Sequence, residues 1–152
     1  MITHLHSLIR PKDFQVDATA DTYAKFAVEP LERGYGITLG NALRRILLSS
    51  IPGAAITGVE AEGALHEFTT LPNVVEDMAT LILNVKGVQI HSEDEQPHAL
   101  TIEVTGPARV TAGDILTPTQ VKVLNPKHYL ATVNEGGTLN MTLHTSTGRG
   151  YV

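Results

Sequence analysis

Thr38-Leu39-Gly40-Asn41-Ala42-Leu43-Arg44-Arg45-Ile46-Leu47-Leu48-Ser49-Ser50-Ile51-Pro52-Gly53 has the sharpest limits of any stretch in this sequence. Thr38 can cap a helix that begins at Leu39, and Pro52-Gly53 stops it after Ser49-Ser50. Leu39, Ala42, Leu43, Ile46, Leu47 and Ser50 recur at i, i+3, i+4 spacing and form one mostly apolar stripe, the expected core face. Asn41, Arg44, Arg45 and Leu48 share a second face, where two adjacent arginines stand beside a leucine that has no place in the stripe. Mixed guanidinium and apolar surface suits a protein partner. Spacing alone equally fits a solvated basic face with one stray leucine, since scattered exposed leucines are ordinary.

Upstream of this helix, Glu29 to Ile37 holds Pro30, Gly34 and Gly36, which break any regular pattern and make the stretch a structured connector. Before it, Ala24, Phe26 and Val28 alternate with Lys25, the period of a half-buried strand over Tyr23 to Val28. Downstream, the chain from Ala54 reads as strand through Ile56 toward Gly63. Asn73-Val74-Val75-Glu76 then resembles a capping box that opens a second helix. Val75, Met78, Ala79, Ile82 and Leu83 give this helix an apolar face. It ends near Lys86-Gly87, where glycine can take the left-handed position and lysine favours the negative end of the dipole.

Glu93-Asp94-Glu95 and Pro97, between His91 and His98, read as an exposed loop. Leu100, Ile102 and Val104 alternate with Thr101 and Glu103, and Leu139, Met141 and Leu143 alternate with Asn140, Thr142 and His144. Both runs predict antiparallel strands with one face inward. Gly106-Pro107, Pro118, Asn125-Pro126 and Gly136-Gly137 divide shorter β-prone runs such as Val121 to Leu124. The expected fold is therefore α+β, with antiparallel sheets and two helices.

Composition narrows the function. Eleven Lys and Arg against sixteen Asp and Glu give a formal charge of -5, the wrong sign for a broad phosphate-binding surface. With no Trp, three Phe and four Tyr, no row of stacking platforms for single strands is visible. Direct contact with DNA is not expected. The absence of cysteine removes disulfides, thiolate metal sites and cysteine nucleophiles, and with no run of about 20 apolar residues the expectation is a cytoplasmic protein without a membrane span.

Candidate chemistry is sparse. Gly34-Tyr35-Gly36-Ile37-Thr38-Leu39-Gly40 precedes a helix, as phosphate-binding loops do. Its spacing is neither G-x-G-x-x-G nor G-x-x-x-x-G-K-[ST], and no βαβ pattern surrounds it. The histidines at 4, 6, 66, 91, 98, 128 and 144 form no metal-ligand set, and only His4 and His6 are close. His66-Glu67, read as adjacent strand residues, would point to opposite faces, so no acid/base pair follows. Ser49-Ser50 have no assignable base and no nucleophile elbow. No catalytic residues, cofactor or metal is expected, and an interaction module is preferred to an enzyme.

The run from Val28 through Ala55, with Glu29-Pro30-Leu31-Glu32-Arg33-Gly34-Tyr35-Gly36 leading into the arginine-bearing helix, closely resembles the signature of the bacterial RNA polymerase alpha subunit family. The likeness continues in order through Glu62-Gly63-Ala64-Leu65-His66-Glu67-Phe68, Glu76-Asp77, Leu83-Asn84-Val85-Lys86-Gly87, Gly106-Pro107, Val110 to Ile115, Asn125-Pro126 and Gly148 to Val152.

The resemblance implies a non-catalytic assembly scaffold, whose subunits dimerise and then bind the large beta and beta-prime subunits, the seat of nucleotidyl transfer. It assigns the beta contact to Arg45 and Leu48, with Arg44 beside them, and a large-subunit contact to Lys86. It assigns dimerisation to the stripe residues Leu39, Leu43, Ile46 and Leu47. It also implies two lobes: residues 1 to 52 as the first part of a dimerisation lobe, incomplete in this sequence because the returning segment is absent, and 53 to 152 as an inserted lobe. The family's separate DNA-binding domain is likewise absent. The rival reading is a free-standing ligand-binding α+β domain that uses the glycine-rich connector.

Overall fold

The computed structural model describes residues 9 to 20 and 23 to 150, leaving His4, His6, Tyr151 and Val152 outside the described residues. The chain divides into two compact units, Met1–Ser50 and Ile51–Val152. Helices and antiparallel sheets are both present, as an α+β fold requires.

The first unit holds a hairpin of β1 (Asp13–Ala20) and β2 (Tyr23–Glu29), followed by helix α1 (Tyr35–Ser49). The sequence reading missed β1, although Phe14, Val16 and Ala18 alternate as clearly as their β2 partners. In the antiparallel register Phe14 faces Val28, Val16 faces Phe26 and Ala18 faces Ala24. One face of the hairpin is thus apolar, with the Phe14 and Phe26 rings stacked at 5.7 Å between centroids. That face is uncovered rather than half-buried, for Phe14 and Phe26 are each 60% exposed.

Helix α1 begins a turn earlier than its sequence suggests. Gly34 occupies the N-cap position at φ 89°, a left-handed conformation that costs glycine nothing and needs no side-chain cap. Thr38 lies inside the first turn, its amide donating to the Gly34 carbonyl at 3.4 Å. The C-terminal limit is as expected, with the Ser50 amide donating to the Ile46 carbonyl at 2.9 Å. The stripe is not a core face: no residue of α1 is buried.

The second unit contains a three-stranded antiparallel sheet of β3 (Pro52–Ala61), β5 (His98–Thr105) and β9 (Thr138–Arg149), with β9 in the middle. Leu100 pairs with Leu143, Ile102 with Met141 and Val104 with Leu139, so the two alternating runs bring their apolar sides to one face. Leu100, Ile102, Leu139, Met141 and Leu143 are all buried there. Two further two-stranded ladders pair β4 (Ile90–Ser92) with β7 (Val121–Val123), and β6 (Ala108–Thr111) with β8 (Tyr129–Val133).

Helix α2 (Met78–Lys86) supplies Met78, Leu81 and Val85 to the same core. Its start differs from the one expected, and its face differs in part: of the expected residues Met78 is buried and Ile82 packs against the core. Asp77, not Asn73, is the N-cap, accepting from the Thr80 amide at 2.8 Å. Asn73 instead adopts a left-handed conformation at φ 58° and receives the Asn134 amide on its carbonyl at 2.7 Å. Met78, Leu81 and Val85 are its buried residues, whereas Leu83, and Val75 ahead of the helix, are exposed at 66% and 63%. Gly87 ends the helix, but at φ -80° rather than in the left-handed region. A Cβ there would lie 2.5 Å from Nε2 of His128, so a larger residue would have to displace that ring.

Candidate interaction surfaces and their structural frame

Several of the signature residues in the second unit help to hold that unit together. The Glu76 carboxylate accepts from the Tyr129 hydroxyl and, at 2.7 Å, from the Thr132 amide, tying the approach to α2 onto β8. Burial first, and this bond to Glu76 second, push the Tyr129 phenol above its ordinary pKa. The Arg109 guanidinium lies 5.0 Å over the Tyr129 ring, a cation–π contact that adds to the same joint. Asn84 donates from Nδ2 to the Leu130 carbonyl at 2.8 Å, while its own carbonyl is 2.8 Å from Nε2 of His128. Asp114 accepts from both the amide and the hydroxyl of Thr111, at 2.7 and 3.0 Å, and the neighbouring Gly113 amide donates to the Pro126 carbonyl at 2.8 Å.

The residues singled out for partner binding behave otherwise. Arg44, Arg45 and Leu48 are exposed on α1, with Leu48 at 69%. Among the described residues neither arginine has an ion pair or side-chain hydrogen bond; the described ion pairs are His98–Asp94 at 2.7 Å and His144–Glu60 at 2.9 Å. The same helix bears Leu39, Leu43, Ile46 and Leu47, exposed at 43%, 58%, 54% and 60%. An apolar row of this size is far more than scattered surface leucine. Lys86 stands in the last turn of α2, exposed and likewise unpaired among the described residues.

The chemical candidates set aside on sequence grounds find their places in the frame. The glycine-rich connector is largely helix, since Gly36 and Gly40 both lie within α1. His66 sits in a turn rather than a strand, its Nδ1 3.3 Å from the Thr69 hydroxyl. The Ser49 hydroxyl donates to the Arg45 carbonyl one turn back at 2.6 Å. Among the described residues no grouping of His, Asp and Glu is arranged to hold a metal ion, and no helix is long and apolar enough to cross a membrane.

Residues 56–152 match the family model described as RNA polymerase Rpb3/RpoA insert domain. A DNA-directed RNA polymerase subunit alpha from Alkaliphilus metalliredigens is 56% identical over 131 residues, covering 86% of this chain and 42% of the relative. The chain thus spans less than half the length of that relative. With an insert-domain match over most of its length and identity that extends beyond it, the chain belongs to the RNA polymerase alpha-subunit family.

Proposed function

We propose that this chain is a non-catalytic assembly scaffold of RNA polymerase in DNA-dependent transcription, working in the cytoplasm. In this reading the first unit belongs to a dimerisation lobe, and Leu39, Leu43, Ile46 and Leu47 meet a second alpha subunit. Arg44, Arg45 and Leu48 dock the beta subunit, Lys86 contacts a large subunit, beta or beta-prime, and the second unit serves as the inserted lobe that carries Lys86.

The observation that carries the reading is the contrast on α1: an uncovered apolar row beside two arginines that have no partner among the described residues. Burying one such leucine or isoleucine fully is worth about 1.5 to 3 kcal/mol. A row of four exposed together therefore favours association strongly. Guanidinium groups at its margin add register and selectivity for a carboxylate-bearing partner.

The test has two arms. Affinity-tagged chain mixed with purified beta and beta-prime should retain both, and retention of neither would defeat the scaffold reading. Sedimentation over a concentration series should show self-association that Leu43→Asp with Ile46→Asp abolishes. Equal masses for the two proteins at every concentration would remove the row from the interface.

A further inference from the structure

The turn between β3 and α2 is held by a histidine in one protonation state. Residues 66 to 69 close it, with the Thr69 amide donating to the His66 carbonyl at 3.0 Å. The His66 amide donates to the Thr69 hydroxyl at 3.2 Å. Nδ1 of His66 accepts from the Phe68 amide at 3.3 Å and lies 3.3 Å from the Thr69 hydroxyl. A backbone N–H only donates, so Nδ1 must present a lone pair and the neutral ring carries its proton on Nε2. The same turn is tied to the start of α2, for the Thr69 carbonyl accepts from the Met78 amide at 3.0 Å.

A proton on Nδ1 turns this acceptor into a donor. The Thr69 hydroxyl can rotate and accept from it, but the Phe68 amide cannot, and two N–H groups then point at each other. The Phe68 ring does not compensate: its centroid is 6.3 Å from that of His66, beyond the roughly 6 Å over which a ring face holds a cation. Nor do the neighbouring carboxylates. Glu60 pairs with His144, Glu62 accepts from Asn140, Glu76 from Tyr129 and Thr132, and Asp77 from Thr80. With Glu67 in the turn itself, these are the acidic residues from position 60 to 77, and among the described residues none forms an ion pair with His66. The turn displays Leu65 and Phe68, the most exposed large apolar side chains described in the second unit, at 92% and 75%.

We propose that His66 is a proton-operated latch: its neutral ring holds residues 66 to 69 closed, and acidification releases the Phe68 amide and loosens the display of Leu65 and Phe68, while Thr69 keeps the turn tethered to α2. The direction follows from the geometry. The closed turn accommodates the neutral ring alone, so it is favoured on the alkaline side and lost as pH falls. The Asp77 carboxyl, held below its ordinary value, stays ionised between about pH 8 and about pH 5, so the cap of α2 is intact while the latch opens.

NMR on the isotope-labelled full chain between about pH 8 and about pH 5 tests the latch. At the alkaline end the His66 ring should be the Nε2–H tautomer; an Nδ1–H ring there would overturn the proposal. Protection of the Phe68 amide against hydrogen exchange, corrected for its intrinsic pH dependence, should fall about three- to tenfold at the acid end, as loss of one hydrogen bond predicts. That of Leu143 in the central strand β9 should not change. His66→Asn supplies the amide two residues on with an acceptor that does not titrate, so its Phe68 protection should stay near the alkaline wild-type value throughout, whereas His66→Ala should be low throughout. A fall in His66→Asn as large as in the wild type would assign the titration to another group and sink the latch, as would constant protection in the wild type. If His66→Asn matches His66→Ala, the wild-type tautomer and the wild-type fall decide alone.

Discussion

Asn125 fastens Gly87 at the end of α2: its Nδ2 donates to the Gly87 carbonyl at 2.9 Å, and its Oδ1 accepts from the Gln89 amide, also at 2.9 Å. One side chain therefore satisfies the free carbonyl at the helix C-cap and an amide just beyond it. The adjacent Leu124 amide donates to the Gln89 carbonyl at 2.8 Å, so a turn distant in sequence becomes the seat on which α2 ends. This is also the frame that sets the position of Lys86.

Asn125→Ala removes both bonds and should destabilise the second unit by about 1 to 3 kcal/mol, at roughly 0.5 to 1.5 kcal/mol for each neutral bond. Asn125→Asp keeps the acceptor and loses the donor, so its cost should be intermediate. Urea unfolding measures both; a midpoint unchanged in Asn125→Ala would show that water replaces the side chain without loss.

Stability on the acid side should depend on Asp77. Hydrogen bonds from the Thr80 side chain, and then from its backbone amide, hold the Asp77 carboxyl below its usual value of 3.8. A depressed folded-state pKa contributes stability that is fully present above the unfolded value, and is lost as pH falls from there through the folded value. Below pH 3.8 the unfolded chain takes up this proton first, so unfolding becomes easier. Asp77→Asn retains a good N-cap and should melt near the wild-type temperature at pH 7, with a shallower decline in melting temperature as pH falls below 3.8. Parallel declines for the two proteins would remove Asp77 from the acid transition.

Arg45→Ala should weaken association with beta while leaving the fold intact, because Arg45 is exposed and outside the apolar row. Loss of a charge-assisted contact that becomes buried in a complex costs about 2 to 5 kcal/mol. Circular dichroism should be unchanged, and a pull-down titration should move by more than tenfold. Unaltered beta affinity counts against this assignment and not against the fold.

The sequence discloses the parts of this structure that depend on local period. Leu100, Ile102 and Val104 pair with Leu143, Met141 and Leu139 because alternation alone separates a core side from a solvent side. The two helices were legible as helices for the same reason. Their burial was not. Leu83 reads as core by type, yet it faces out because, two residues from each of the buried Leu81 and Val85, it lies on the opposite side of α2. Asn73 and Glu76 carry the spacing of a capping box, but the Glu76 carboxylate is taken by Tyr129 and Thr132 more than fifty residues away. No local pattern encodes a partner at that distance. Gly34 conceals the start of α1 by capping it with backbone conformation instead of a side chain. At the candidate site, Arg44, Arg45 and Leu48 stand out by their place off the apolar stripe, whereas Lys86 is singled out by family resemblance alone, because a lysine in the last turn of a helix is ordinary.

The order of strands sets a schedule for biosynthesis. β9 lies between β3 and β5 and is the hydrogen-bonding partner of both, yet it is the last of the three to be made. Until residues 138 to 149 have left the ribosome, β3 and β5 lack the strand that joins them into one sheet. At about 5 to 20 residues per second, that interval lasts seconds, long compared with the about 1 to 10 μs in which a hairpin can form. During it, two incomplete edges of the nascent chain are open to holding chaperones, and to each other's copies on a crowded polysome.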